Sequence, residues 1–149
     1  MDDDLEVRRL GPGDEAEVAA AGALFDRPPA EAWTRAFLEE PTHHLLLASR
    51  ASGPVGFVTG VEMVHPDKGR EMFVYELSVA PAWRRRGIAK ALLRALEAIA
   101  RERDCYDMWV LTDIANTAAK ASYASTGAER VSAHIMFEWR FDRPPADPA

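Results

Sequence analysis

The feature that most constrains this chain is a strand-like run that leads, through a proline and a basic turn, into a long amphipathic helix. The run at 73–79, FVYELSV, is rich in β-branched and aromatic residues, a composition typical of a strand. Pro81 ends that strand, and apolar residues then recur at helical spacing from Gly87 onward. Three arginines at 84–86 and a glycine therefore lie where a strand passes into a helix N-terminus.

This strand–helix turn has the physical features of an anion site. The first turn of a helix leaves backbone N–H groups without partners, and the helix dipole makes that end electropositive. The arginines at 84–86 add positive charge, and Gly87 has no Cβ to hold a phosphate away from the backbone. The sequence therefore predicts a loop that binds a pyrophosphate.

Length and composition indicate a single globular domain. The chain has 149 residues, 48% of them hydrophobic and 28% charged, and no apolar run approaches the ~20 residues that span a bilayer. The acidic start at 1–4 is unlike a signal peptide, and Cys105 alone cannot form an internal disulfide, so we expect a cytoplasmic protein. We expect the domain to occupy 1–141 and a disordered, proline-rich tail to occupy 142–149.

The charge distribution is uneven and bears on possible partners. A net charge of −6 argues against nucleic acid. Arginines crowd at 84–86 and 101–103, whereas acids are scattered over the N-terminal half and near Glu71 and Glu76, which suits an anionic cofactor and a cationic second substrate. Solubility alone accounts for the excess acid equally well. The four histidines lack a metal-ligand spacing, so no metal site is expected.

The remaining periodicities predict the element order β-α-α-β-β-β-α-β-α-β-β. Strands are expected near 5–10, 44–49, 55–63, 71–79, 106–112, 129–131 and 134–141, and helices near 14–25, 29–41, 87–103 and 116–125. Antiparallel neighbours followed by a helix crossover to a parallel strand predict an α/β domain with a mixed, mostly antiparallel sheet. We expect six to seven strands flanked by about four helices.

Two motifs on these predicted elements resemble the GNAT family of N-acetyltransferases. One is RRRGIA at 84–89, similar to the family's (Gln/Arg)-x-x-Gly-x-(Gly/Ala) acetyl-CoA loop. The other is Asn116-x-x-Ala119-x-x-x-Tyr123-x-x-x-Gly127, similar to its second cofactor-side helix. The motifs cover about a third of the chain, and the predicted element order matches the family over nearly all of it.

The resemblance implies acetyl-CoA as the cosubstrate and assigns roles to individual residues. Backbone N–H groups at 85–90 would cradle the pyrophosphate of CoA. The pantetheine arm would pair with the strand at 77–79, where an N–H of Leu77 or Ser78 would polarise the thioester carbonyl. The cofactor-binding residues implied are Leu77, Ser78, Val79, Arg84, Arg85, Arg86, Gly87, Ile88, Ala89, Lys90, Asn116 and Tyr123.

The same resemblance suggests an acid and a base. Tyr123 matches the residue that protonates the leaving thiolate, and a tyrosine pKa of ~10 suits a thiol of ~8.5; otherwise it is a core aromatic residue. Glu76 is the candidate base, because a bulge in the strand would point it at the amine; the alternative is an exposed carboxylate in a salt bridge. Glu71 and Asp113 are candidates to bind a cationic acceptor, and solvated surface is the alternative for both.

A narrower resemblance concerns the acceptor. The run EMFVYELSV at 71–79 is similar to the Glu-hydrophobic-Tyr-Asp-Leu-x-Val strand of GNAT-type aminoglycoside 3-N-acetyltransferases. Glu76 then replaces an aspartate proposed as base, and Asn116-Thr117 replaces an acidic pair, so the chain departs from that group at the acceptor mouth. This resemblance predicts direct attack by the 3-amino group of an aminoglycoside antibiotic within a ternary complex, and hence antibiotic resistance.

Two other functions stay open at this point. The chain also fits an acetyltransferase for another amine, such as a polyamine, a small metabolite, or a protein N-terminus or lysine. It fits a non-catalytic acyl-CoA-binding regulatory domain less well, because a pure binder has no need of Glu76 and Tyr123. The closing strands and Trp139 predict a homodimer seam, which they often form in this family.

Overall fold

The computed structural model describes residues 4–142 and has a five-stranded sheet with four α-helices. The strands are β1 (Glu6–Leu10), β2 (His43–Arg50), β3 (Gly53–His65), β4 (Gly69–Val79) and β5 (Met108–Val110). The helices are α1 (Glu15–Ala20), α2 (Glu31–Glu39), α3 (Ile88–Glu102) and α4 (Thr117–Ala124), with 3₁₀ turns at Gly22–Leu24 and Pro81–Trp83. The sheet order is β1-β2-β3-β4-β5, antiparallel except for the parallel β4–β5 pair, so the predicted mixed α/β class is confirmed.

Helix α3 covers one face of the sheet with a single apolar stripe. Its side chains Ile88, Leu92 and Leu96 are at most 1% exposed and pack on core residues of β2, β3 and β4. Gly60 of β3 lies under this helix, where an added Cβ would come within 2.9 Å of Leu96 and of the Met72 sulfur. Only glycine therefore lets α3 lie this close to the sheet.

The opposite face is covered over β1 to β3 only. Helices α1 and α2 and the turn between them bury a second cluster, to which Leu45, Leu47 and Phe57 belong. Phe25, which follows the first 3₁₀ turn, stacks on Phe57 with ring centroids 4.1 Å apart. This cluster contains no residue of β4 or β5, and Tyr75 on β4 is 66% exposed.

Strand β4 bulges and then separates from β5. Thr59 of β3 pairs with Glu76 while the next residue, Gly60, pairs with Val74, so Tyr75 is the extra residue of a bulge. Strand β5 pairs with β4 only from Met72 to Val74. Beyond Val74, the outer edge of β4 has no strand beside it within residues 4–142.

Three predicted elements differ from the structure at the C-terminal side. The strands expected at 129–131 and 134–141 do not form, so the prediction of six to seven strands is wrong, and β5 is shorter than 106–112. Val131 and Trp139 in this segment are 94% and 80% exposed. The alternation of apolar residues there suits a strand, but strand propensity is realised only by pairing with a neighbour. The tail expected at 142–149 lies outside the described residues except for Asp142.

The N-terminal helices are also shorter than expected. Helix α1 ends at Ala20, and the Asp14 carboxylate accepts a hydrogen bond from the Gly11 N–H at 2.8 Å instead of capping the helix. Helix α2 begins at Glu31, after the prolines. Within residues 4–142, none of the helices combines the length and the apolar character that crossing a membrane requires.

Candidate active site

The open edge of β4 presents backbone groups to the gap beside β5. Ala80 donates its N–H to the Val55 carbonyl of β3 at 2.9 Å. Because peptide groups alternate along an antiparallel ladder, Ser78 also faces β3, whereas Leu77 and Val79 face outward. The Arg84 Nε donates to the outward carbonyl of Val79 at 3.2 Å. The N–H groups of Leu77 and Val79 thus point into the gap.

The loop that follows β4 gathers backbone N–H groups at the start of α3. Arg85 and Gly87 adopt the left-handed conformation, with φ of 62° and 78°. The first helical bond joins the Ala91 N–H to the Gly87 carbonyl at 3.0 Å, so the N–H groups at 88–90 have no partner within the helix. Left-handed residues next to a helix N-terminus form a concave set of donors that suits an anion.

Trp83 and Arg50, which the sequence did not assign to the site, contact this loop. The guanidinium carbon of Arg86 lies 5.0 Å from the centroid of the Trp83 ring, and that of Arg50 lies 5.0 Å from the same ring. Arg50 is at the end of β2, and no motif connects it to the loop. It adds a fourth arginine to the positive charge around the start of α3.

The bulge turns Glu76 onto the face of the sheet that carries α1 and α2. Its partner Thr59 belongs to that face, and the Glu76 N–H donates to Thr59 Oγ1 at 3.1 Å. The side chain is half-buried and forms no salt bridge within residues 4–142, so the alternative of a paired surface carboxylate does not describe it. Burial first, and then the negative charge of Asp26, raise the pKa of the Glu76 carboxyl.

The other two predicted acceptor acids lie in different surroundings. Glu71 is on the same face of β4 as Glu76 but towards the start of the strand, where it accepts a hydrogen bond from the Tyr106 hydroxyl at 2.9 Å. That bond to Glu71 is the main reason why the pKa of Tyr106 is raised to about 12. Asp113 is exposed and accepts a bond from the Ala115 N–H at 2.8 Å, which shapes the loop after β5.

Helix α4 carries the remaining predicted site residues. Asn116 caps it, because its Oδ1 accepts from the Ala119 N–H at 3.0 Å. Tyr123 is half-buried against the core cluster under α3, the cluster that Leu77 and Val79 also border. Burial raises the pKa of the Tyr123 hydroxyl. This hydroxyl has no hydrogen-bond partner among residues 4–142.

Thr59, Asp26 and Tyr75 also belong to the surroundings of Glu76, and the sequence analysis missed all three. Thr59 and Tyr75 depend on the register shift at the bulge, which periodicity cannot locate to one residue. Asp26 lies between two helices and approaches Glu76 only through tertiary packing. Among residues 4–142, no three His, Cys, Asp or Glu side chains are arranged to hold a metal ion.

Comparison with known proteins gives relatives over most of the chain. Mycothiol acetyltransferase of Salinispora arenicola (strain CNS-205) is 35% identical over 144 residues, which cover 90% of this chain and 47% of that protein. Aminoglycoside N(6')-acetyltransferase type 1 of Stenotrophomonas maltophilia is 26% identical over 118 residues, which cover 79% of this chain and 67% of that protein. The chain thus spans about half the length of the mycothiol acetyltransferase.

A solved structure and a family model agree with these relatives. The crystal structure of an aminoglycoside acetyltransferase from an uncultured soil metagenomic sample superposes with a TM-score of 0.77 at 28% identity, covering 92% of this chain and 99% of that chain. None of these three proteins is named for the 3-amino position, and one is named for the 6' position. The sequence model of the acetyltransferase (GNAT) family matches residues 14–128. The chain belongs to this family.

Proposed function

We propose that this chain transfers the acetyl group of acetyl-CoA to a primary amine by direct attack within a ternary complex. The observation that carries this proposal is the open edge of β4 from 75 to 79, which leads directly into the donor-rich loop at 84–90. One cosubstrate can therefore bind along both, with its phosphates at the loop and its thioester near the bulge.

The loop residues fit the phosphates of CoA. The N–H groups at 85–90 are the main donors, since backbone dipoles at a helix start are fixed in place. The exposed side chains of Arg85 and Lys90 add attraction without fixed geometry. No side chain crowds Gly87, where an added Cβ would meet nothing within 4 Å, so the loop has room for a ligand.

The pantetheine arm would pair with the outward groups of β4. Leu77 and Val79 offer their N–H groups to the gap, and the carbonyl of Val79 is held by Arg84. We assign the oxyanion role to the Leu77 N–H rather than to Ser78, because Ser78 faces β3. A fixed backbone donor at the thioester oxygen stabilises the negative charge that develops there during attack.

Glu76 and Tyr123 would move the protons of the reaction. Glu76 accepts a proton from the acceptor ammonium group, and the freed lone pair forms the new C–N bond. The C–S bond breaks, and the sulfur keeps its electron pair and takes a proton from Tyr123. The second proton lost by the nitrogen restores the Tyr123 phenol, and Glu76 releases the first proton to solvent, which restores its carboxylate. The raised pKa of Glu76 suits a base, and that of Tyr123 keeps it protonated at neutral pH.

The acceptor we propose is an aminoglycoside, acetylated at its 3-amino group. Glu71 and Glu76 lie on one face of β4, and carboxylates attract polycations. The run at 71–79 supports the 3-amino position, whereas the name of the Stenotrophomonas relative supports the 6' position. The mycothiol acetyltransferase relative favours a second candidate, an acetyltransferase for another small-molecule amine.

Thiol release from acetyl-CoA tests this proposal. The panel contains sisomicin, aminoglycosides that lack the 3-amino or the 6'-amino group, spermidine and a lysine peptide. We expect release with sisomicin and loss of release when the 3-amino group is absent. If thiol release is lost when the 6'-amino group is absent instead, the acetylated position is the 6'-amino group. Turnover of spermidine or the peptide alone would contradict an aminoglycoside acceptor. Binding of CoA without turnover of any amine would favour the regulatory domain.

We also propose that the chain is a homodimer formed through its C-terminal segment at 131–141. Ile135, Phe137, Trp139 and Phe141 alternate along this segment, and each is at least 76% exposed. A row of large apolar side chains of this kind needs a partner surface. Light scattering is expected to give a dimer for the wild type and a monomer for Phe137→Glu. A monomeric wild type would contradict the proposal.

A further inference from the structure

The acceptor side of β4 carries a row of aromatic rings that the catalytic steps do not use. Phe73 and Tyr75 project from the same face, with ring centroids 6.0 Å apart. Trp109, which pairs with Phe73 across β4 and β5, lies 4.5 Å from the Phe73 ring. The row begins next to Glu76 and extends away from it across the uncovered part of the sheet.

Tyr75 is the exposed end of this row. As the extra residue of the bulge it is 66% exposed, whereas Phe73 and Trp109 are half-buried. A tyrosine at this position adds nothing to the two core clusters. Its ring offers a flat apolar surface directly beside the candidate base, where the acceptor must sit when its amine reacts.

Asp26 approaches Glu76 from the segment between α1 and α2. Phe25 stacks on Phe57 at 4.1 Å and holds the adjoining residue Asp26 over the sheet. Phe57 pairs with Ser78 of β4, and Glu76 is the next residue of β4 on that face. Asp26 therefore lies close enough to Glu76 for its negative charge to contribute, after burial, to the raised pKa of the Glu76 carboxyl.

We infer that Tyr75 and Asp26 select the acceptor, with Tyr75 stacking on a ring that bears the reacting amine and Asp26 binding a second ammonium group of the same molecule. The class of acceptor is then a cyclic polyamine, such as an amino sugar, rather than a monoamine or an extended peptide. A ring supplies the apolar face that an aromatic side chain contacts. Glu76 interacts with the reacting amine, so the Asp26 carboxylate is left to pair with a second ammonium group. This inference rests on the proposed function and narrows its substrate class.

The test compares steady-state kinetics of Tyr75→Ala and Tyr75→Phe with sisomicin as acceptor. Loss of ring stacking is expected to raise the KM for sisomicin by roughly 3- to 10-fold in Tyr75→Ala. The KM for acetyl-CoA stays unchanged, and Tyr75→Phe keeps the wild-type KM for both substrates. Val64→Ala, at a residue 65% exposed on β3 and away from the site, serves as the matched control.

Asp26→Asn provides an independent readout. Removing its charge is expected to raise the KM for sisomicin and to lower its dependence on salt, because a charged contact is lost. It should also move the acidic limb of the pH–rate profile to lower pH, since Asp26 no longer raises the pKa of Glu76. A merely structural role for Asp26 would move neither the salt dependence nor the acidic limb.

The outcomes separate this inference from the proposed function. Turnover of sisomicin by the wild type with an unchanged KM in Tyr75→Ala overturns the inference alone. An equal rise in the KM for acetyl-CoA, or a changed oligomeric state of Tyr75→Ala, does the same, because Tyr75 then acts on the fold or on a protein interface. Wild-type protein that acetylates no ring-bearing amine overturns both the aminoglycoside proposal and the inference.

Discussion

The backbone N–H of Glu76 donates a 3.1 Å hydrogen bond to the Thr59 hydroxyl, at the point where β4 bulges away from β3. Thr59 is 5% exposed, so its hydroxyl is fixed by the packing around it. A side chain of β3 thus takes the place of a ladder carbonyl and holds the bulge in one conformation. The direction in which the Glu76 carboxylate points depends on this bond.

Thr59→Val is expected to lower both kcat and the free energy of unfolding. Valine has nearly the same shape but leaves the Glu76 N–H without an acceptor, which costs about 1–2 kcal/mol. A displaced base slows the reaction by roughly 10-fold. Thr42→Val, at a half-buried residue whose hydroxyl donates to Glu40, is the control and should keep the wild-type kcat. An unchanged kcat in Thr59→Val would mean that the bulge is held by other contacts.

Glu76→Gln is expected to remove the acidic limb of the pH–rate profile. The active form is the carboxylate, and burial together with Asp26 raises its pKa, so wild-type activity falls as the pH drops through a value above the ordinary ~4.3 of glutamate. The glutamine variant has no proton to gain and should show a low rate without this limb. The measurement is kcat/KM against pH, with Glu6→Gln on β1 as control. A limb that persists in Glu76→Gln would assign the base to another group or to water.

Tyr123→Phe is expected to reduce kcat by about 10²-fold with no change in the affinity for acetyl-CoA. The substitution keeps the ring that packs under α3 and removes only the proton donor. Equilibrium binding of CoA and steady-state kinetics separate the two effects. Tyr106→Phe removes a hydroxyl that bonds Glu71, and it should keep the wild-type kcat. An equal kcat for Tyr123→Phe and wild type would exclude this tyrosine from the mechanism.

The sequence predicted the parts of the site that depend on local order along the chain. The turn from β4 into α3 has its own signals in Pro81, Gly87 and the spacing of leucines, and all of them are local. The start of α4, predicted near 116, is local as well, because Asn116 caps the helix through a partner only one helical turn away. Such features need no knowledge of what packs against them.

The features that the sequence did not predict depend on contacts between distant segments. Asp26 reaches Glu76 only because Phe25 stacks on Phe57, and neither ring is identifiable as a partner from spacing. The alternation at 134–141 predicts a strand, yet pairing requires a free edge in the right position, and alternation carries no information about that edge. Local patterns therefore predicted the turn from β4 into α3 better than the surroundings of Glu76.

Gly87→Ala is expected to weaken binding of acetyl-CoA. Gly87 has a φ of 78°, and an alanine there costs roughly 1 kcal/mol, although its Cβ would meet no atom within 4 Å. The chain is expected to relieve this strain by changing the loop, which disperses the N–H groups at 88–90. The KM for acetyl-CoA should rise several-fold while the KM for the amine stays constant. Gly11→Ala, also without a contact within 4 Å but with an ordinary φ, is the control.

A buried ionic cluster far from the reaction edge ties four elements together. His44 of β2 and Glu62 of β3 have fully buried side chains, with His44 Nε2 2.6 Å from Glu62 Oε2. Arg103, which follows α3, and Arg70 of β4 also donate to Glu62, at 3.0 and 2.9 Å. Burial would raise the pKa of Glu62, but the bonds from His44 and Arg103 outweigh it and lower that pKa. Burial lowers the pKa of His44 despite the bond to Glu62.

Both pKa shifts make the fold less stable in acid, and His44 determines the pH at which the free energy of unfolding begins to fall. In the unfolded chain a histidine takes up a proton below about pH 6.5, whereas folded His44 stays neutral to lower pH, so stability falls as the pH drops below that value. The contribution of Glu62 is complete above its unfolded pKa and is lost as the pH falls through its lowered folded pKa. Urea unfolding of His44→Gln between pH 8 and 5 should show a flatter dependence on pH than the wild type. His65→Gln, at an exposed histidine, should keep the wild-type slope, and an unchanged slope in His44→Gln would place the acid sensitivity elsewhere.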